Sequence, residues 1–139
     1  MTFKIEALTR ELMQQNIQDF VHLAKNNIEG EYWDNSNFLS DLRNKWNLSF
    51  FVKDDTGKII AFLIASEKTD SIHIHKFVVD LPARQMGVGT LLLDYLKTKA
   101  TKVITLKVRV DNEMGIQFYK KKGFVILARE ADLYIMTSD

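Results

Sequence analysis

Arg84-Gln85-Met86-Gly87-Val88-Gly89-Thr90 sets two glycines one residue apart behind an arginine, and a run of leucines follows at once. The pattern is that of an anion cradle. Glycine lets a backbone approach a ligand closely and adopt positive φ. The first N–H groups of a helix have no acceptor in a preceding turn, and the helix dipole favours negative charge beside them. A diphosphate would satisfy those donors. The spacing matches neither G-x-x-x-x-G-K-[ST] nor a full G-x-G-x-x-G, so the common nucleotide loops are not indicated. On the loop alone, a tight strand–helix turn with no ligand stays open.

Two further groups of residues could do chemistry. Asn112 opens a stretch that carries Tyr119 seven positions later and ends in Gly123-Phe124. Asparagine there suits a helix N-cap, and the tyrosine either packs in the core or offers a phenolic proton. Lys120, Lys121 and Lys122 read as cations at a helix C-terminus rather than as a phosphate clamp. His73 and His75 alternate along SIHIHKFVVD, and imidazole titrates in the range a general base needs. As a metal pair they lack an identifiable third ligand, so no metal is expected. The chain has no cysteine, which removes disulfides, thiolate sites and a cysteine nucleophile together.

The elements around these residues follow from periodicity. Thr9 caps a helix expected over 10–27, and a second short helix follows Asn35 or Ser36 with Phe38, Leu39, Leu42 and Trp46 on one stripe. LSFFVK and IIAFLIA flank the turn DDTG, where Gly57 supplies positive φ. In the next strand Ile72, Ile74 and Val78 alternate with His73, His75, Phe77 and Val79. Residues 87–99 form an amphipathic helix with Leu91, Leu92, Tyr95 and Leu96 inward. VITLKVRV is a strand, 113–122 a helix closed by Gly123, and FVILAR and LYIMT a final strand pair. The order, roughly βααβββαβαββ, defines a mixed α/β domain in which helical crossovers bring parallel neighbours.

Bulk properties agree with one globular domain spanning 1–139. The chain has 139 residues, 46% hydrophobic and 27% charged, with no linker or repeat. Its longest apolar run is too short to span a membrane and no secretory leader is legible, so a cytoplasmic location is expected. The net charge of +1 argues against nucleic-acid or membrane partners. Residues 81–139 nevertheless hold 10 Lys/Arg against 6 Asp/Glu, which makes that half the better host for an anion.

Taken in order, Arg84-x-x-Gly87-x-Gly89 and the stretch Asn112 to Phe124 resemble the acyl-CoA signature and the second signature of the GNAT superfamily of N-acetyltransferases, and the element order is similar across nearly the whole chain. The resemblance implies a GNAT-like fold and transfer of an acetyl group from acetyl-CoA to an amine. It implies that the backbone of Gln85, Met86, Gly87, Val88, Gly89 and Thr90, with Arg84 at the loop's start, holds the pantetheine diphosphate. Phe77, Val78 and Val79 would line the pantetheine arm, with an N–H of Phe77 or Val79 polarising the thioester carbonyl. Asn112 would touch the cofactor and Tyr119 would protonate the leaving thiolate. Some members carry a glutamate base on the strand before Asn112, but the corresponding position here is Lys107; His73 or His75 could act as the base, directly or through water, and a reading of both as surface or partly buried histidines without that role stays open. The only proline, Pro82, lies two residues before Arg84, where the family often has one three before. The acceptor would lie near Glu29, Glu31, Tyr32, Trp33 and Asp34, with Tyr134 opposite; it would be a small amine, an amino sugar or a peptide N-terminus. A homodimer is among the arrangements left open. The competing reading is a non-catalytic acyl-CoA-binding regulatory module.

Overall fold

The computed structural model describes residues 3–28 and 33–138. Seven strands form one sheet in the order β1-β2-β3-β4-β5-β7-β6. They are β1 (Lys4–Ala7), β2 (Phe50–Lys53), β3 (Ile59–Glu67), β4 (Ser71–Val79), β5 (Val103–Arg109), β6 (Val125–Glu130) and β7 (Leu133–Thr137). Five helices accompany them: α1 (Arg10–Gln15), α2 (Ile17–Asn27), α3 (Asn35–Leu39), α4 (Val88–Lys99) and α5 (Glu113–Lys121). Among the described residues only β4 and β5 run parallel, joined through α4, as a helical crossover requires.

The expected helix over 10–27 is two helices. Asn16 breaks it at φ −119°, its side chain donating to the Leu12 carbonyl as an asparagine does when it competes with helix continuation. The second expected helix is also shorter, ending at Leu39. Trp46 sits in a separate 3₁₀ turn, and Leu42 is exposed. In α4 it is Leu93, not Leu91, that turns inward beside Leu92 and Leu96; Tyr95 lies at the rim with its ring 4.7 Å from Phe50.

The sheet separates two apolar layers. On one face α4 and α5 cover Leu63, Ile72, Ile74, Ile104, Leu106 and Met136. On the other, α1, α2 and α3 cover β2, β3 and the end of β4. Phe20 meets Phe51 and Phe62 edge-on at 5.8 and 5.3 Å, geometry that adds about 0.5–1.5 kcal/mol per pair beyond simple burial. No residue of β5, β6 or β7 belongs to this second layer. The outer half of the sheet therefore has a helix on the α5 side only, among the described residues.

Candidate active site

A bulge in β4 decides the site's geometry. Ile64 pairs with Lys76 and Ala65 with Ile74, so His75 is the extra residue. A bulge shifts the side-chain alternation by one. Phe77 and Val79 therefore join Ile72 and Ile74 on the α4/α5 face, while Val78 goes to the opposite layer. The expectation that His73 and His75 share a face with Phe77 and Val79 is thus overturned. His73 hydrogen-bonds Thr105 Oγ1 at 2.8 Å, and His75 Nε2 lies 2.6 Å from Ser66 Oγ, both on the face away from α4 and α5.

β4 and β5 also part company. They pair only from Ser71–Val103 to Ile74–Leu106, after which β5 continues against β7 and β4 against β3. A wedge opens between them. The Asp80 N–H bonds to the Ile60 carbonyl on β3. Since successive backbone groups along a strand point to opposite sides, the N–H groups of Phe77 and Val79 face the wedge.

The glycine loop closes one end of the wedge. Gly87 sits at φ +83° as the N-cap of α4 without a capping side chain, and Gln85 is left-handed at φ +67°. The first-turn N–H groups of Val88, Gly89 and Thr90 so face outward with the helix dipole behind them. Gly89 lies close to its neighbours: a Cβ there would stand at ordinary contact distance, 3.5 Å from Phe118 and 3.6 Å from Val79, with little room for anything larger. The Arg84 guanidinium turns away from the loop. Its Nε donates to the Val79 carbonyl and its Nη2 to Asn27 Oδ1. Asn27 also donates to Asp80 and accepts from the Leu81 N–H. This asparagine binds the end of α2 to the cradle across more than fifty residues, and no local pattern in the sequence announces it. Asn27→Ala is expected to cost about 1–3 kcal/mol of stability and to weaken coenzyme A binding several-fold, read by thermal unfolding and by titration calorimetry.

α5 supplies the phenol. Asn112 accepts from the Gly115 N–H at 2.9 Å and caps the helix, its amide folded so closely over Gly115 that a Cβ there would lie 2.6 Å from Nδ2. Tyr119 is packed among Phe77, Phe118 and Phe124, with centroids 6.4, 5.4 and 5.8 Å away. The structure thus brings the tyrosine to the strand whose N–H groups open on the wedge. The lysine run belongs to the helix end: Lys122 pairs with Asp94 at 2.6 Å, and Lys97 donates to the Lys122 carbonyl.

Burial, the neighbouring imidazole and nearby lysines lower the His75 pKa to about 4, and burial lowers that of His73. Both rings are neutral at physiological pH. Because the unfolded chain binds that proton first, His75 makes stability fall as pH drops from about 6.5 towards 4. His75→Gln should flatten this limb of the pH–stability curve. Of the residues expected around the acceptor, Glu29, Glu31 and Tyr32 lie outside the described residues. Trp33 packs edge-on against Phe38, and the Lys76 ammonium lies 5.5 Å from its ring. Asp34 caps α3, accepting from the Asn37 N–H and the Ser36 hydroxyl. Among the described residues no cluster of three His, Asp or Glu side chains is set to hold a metal.

The wedge and the glycine-opened helix belong to a mixed α/β fold that comparison with known proteins places in a family. Residues 6–124 match the model of the Acetyltransferase (GNAT) family, and the chain belongs to that family. An uncharacterised N-acetyltransferase of Methanocaldococcus jannaschii is 34% identical over 86 residues, covering 54% of this chain and 38% of its own length. The chain spans about half or less of the length of the curated relatives it matches. The crystal structure of Ard1 from Thermoplasma volcanium superposes with a TM-score of 0.82 at 27% identity, over 99% of this chain and 97% of that one. Arabidopsis thaliana Naa50, solved with the bisubstrate analogue CoA-Ac-MVNAL, does so with a TM-score of 0.79 at 18% identity, over 100% and 99%.

Proposed function

We propose that this protein transfers the acetyl group of acetyl-CoA to a primary amine by direct attack within a ternary complex. The observation that carries the reading is the wedge: the N–H groups of Phe77 and Val79 face it, the unpartnered amides of α4 stand at one end, and Tyr119 is packed against Phe77. The backbone from Gln85 to Thr90 holds the diphosphate. Phe77, Val78 and Val79 run beside the pantetheine arm, and Asn112 contacts it from the start of α5. A wedge-facing N–H accepts the charge that develops on the thioester oxygen, a donation worth about 100- to 1000-fold in rate.

The amine nitrogen bonds to the acetyl carbon, the C–S bond breaks, and one proton leaves nitrogen while one reaches sulfur. Tyr119 delivers the proton to sulfur as the bond cleaves. On the other side of the sheet, His73 or His75, directly or through water, takes the proton from nitrogen after attack, when that nitrogen is far more acidic than a free ammonium. Proximity in the ternary complex supplies about 7–11 kcal/mol of the barrier. No cysteine exists to form an acyl-enzyme.

Thiol release from acetyl-CoA across a panel of amines, run beside a coenzyme A titration, tests this reading. Binding with turnover supports it. Binding without turnover of any amine establishes the regulatory module instead.

A further inference from the structure

The hydroxyl groups around His73 and His75 differ in a way that decides which imidazole can act, and the inference rests on the acetyl transfer proposed above. On the face away from α4 and α5, strands β3, β4 and β5 set Ser66, His73 and Thr105 side by side, each paired with the next. This row stands one pair short of the point where β4 and β5 part, since Ile74–Leu106 is their last pair. The His75 ring lies edge-on to that of His73, with centroids 5.0 Å apart.

Each ring has a hydroxyl partner, and the two hydroxyls act in opposite senses. Ser66 is buried, and a buried hydroxyl keeps its proton on an acceptor. The acceptor it has among the described residues is His75 Nε2, 2.6 Å away. His75 therefore carries its own proton on Nδ1, and its lone pair is already engaged. Thr105 is held from the other side, its Oγ1 donating to Ser71 Oγ at 3.3 Å. With that proton committed, Thr105 Oγ1 meets His73 Nδ1 at 2.8 Å as an acceptor. His73 is thereby the Nδ1–H tautomer, with the lone pair on Nε2. Among the described residues no side chain or backbone group donates to that nitrogen. Burial, with the Lys68 and Lys107 ammonium groups nearby, keeps the ring neutral.

We infer that His73 is the imidazole that takes the amine proton, and that Thr105, oriented by Ser71, is the positioning residue that keeps its Nε2 bare. After attack an N–H bond of the adduct breaks and an Nε2–H bond forms, directly or across a water, while the electron pair stays on the amine nitrogen. The imidazolium keeps its Nδ1–H on Thr105 and afterwards releases the new proton to water. Ser66 takes His75 out of this role by occupying its lone pair.

The test reads tautomer and rate separately, on the full chain. Long-range proton–nitrogen correlation spectra of the isotopically labelled protein at physiological pH should show His73 protonated on Nδ1 and bare on Nε2. Thr105→Val keeps the branched shape but removes the acceptor, and should populate the Nε2–H form. Ser71→Ala should shift the tautomer the same way, because the Thr105 proton then turns to the ring. With acetyl-CoA and the amine of the panel above that is turned over fastest, Thr105→Val is expected to lower kcat about tenfold, a part of the roughly 100-fold or more that a general base supplies. Coenzyme A affinity should stay within about twofold, and Thr105→Ser, which restores the hydroxyl, should bring kcat back to within about threefold of the parent. His73→Gln should lose about tenfold more activity than His75→Gln. An Nε2–H tautomer for His73 in the parent, a kcat unmoved by Thr105→Val, or a larger loss in His75→Gln overturns the assignment while acetyl transfer stands. Coenzyme A binding with turnover of no amine removes both.

Discussion

Tyr119→Phe is expected to lower kcat by about 100-fold or more while the affinity for coenzyme A stays within about twofold. The substitution removes one oxygen from a ring whose position is set by Phe77, Phe118 and Phe124, and these contacts persist in phenylalanine. Packing and binding should therefore survive while proton delivery to sulfur does not. A phenol near pKa 10 gives its proton to a thiolate near 8.5 against a gradient of about 2 kcal/mol, so delivery must accompany C–S cleavage. The loss should accordingly be smallest for acyl thioesters with acidic leaving thiols, which depart without assistance. Stopped assays of thiol release with acetyl-CoA and with an activated thioester separate the two. A kcat within threefold of the parent for acetyl-CoA would remove Tyr119 from the proton path.

Gly87→Val and Gly89→Val should each weaken coenzyme A binding tenfold or more, for different reasons that conservative variants distinguish. Gly87 has open space where a Cβ would stand, so its requirement is the backbone at φ +83°. A β-branched residue there costs about 1–3 kcal/mol of strain, whereas asparagine tolerates the left-handed region. Gly87→Asn should accordingly bind nearly as well as the parent. Gly89 has ordinary helical backbone but close neighbours. Alanine fits at normal contact with Val79 and Phe118, while the two methyls of valine must push α4 off the strand at a cost of about 1–3 kcal/mol. Gly89→Ala should bind within a few-fold, and Gly89→Val should not. Equal binding by all four variants, measured by calorimetry, would mean the coenzyme is held elsewhere.

The regulatory alternative and the enzyme differ in what they require of these residues. A sensor needs the cradle and the wedge but not a phenol at Tyr119 or a histidine pair across the sheet. The placement of those groups on the two sides of a single strand fits a reaction in which one proton leaves on one face and another is delivered on the opposite face.

Much of this architecture could be read from local pattern. The hairpin at Gly57, the alternating strand β5, the caps at Thr9 and Asn112, the stop at Gly123 and the glycine loop all depend on residues a few positions apart, and the chemistry of such features is local. Type and order of the elements, and through them the family, were within reach of the sequence alone. Three decisive features were not. The bulge at His75 arises from the register of β4 against β3, and it reverses which residues join Phe77. The splaying of β4 from β5 beyond Ile74 and Leu106 lies in the pairing of two strands some thirty residues apart. Asn27 bonds to residues more than fifty positions away. Periodicity along one chain carries no information about the register between two strands, and only packing chooses it.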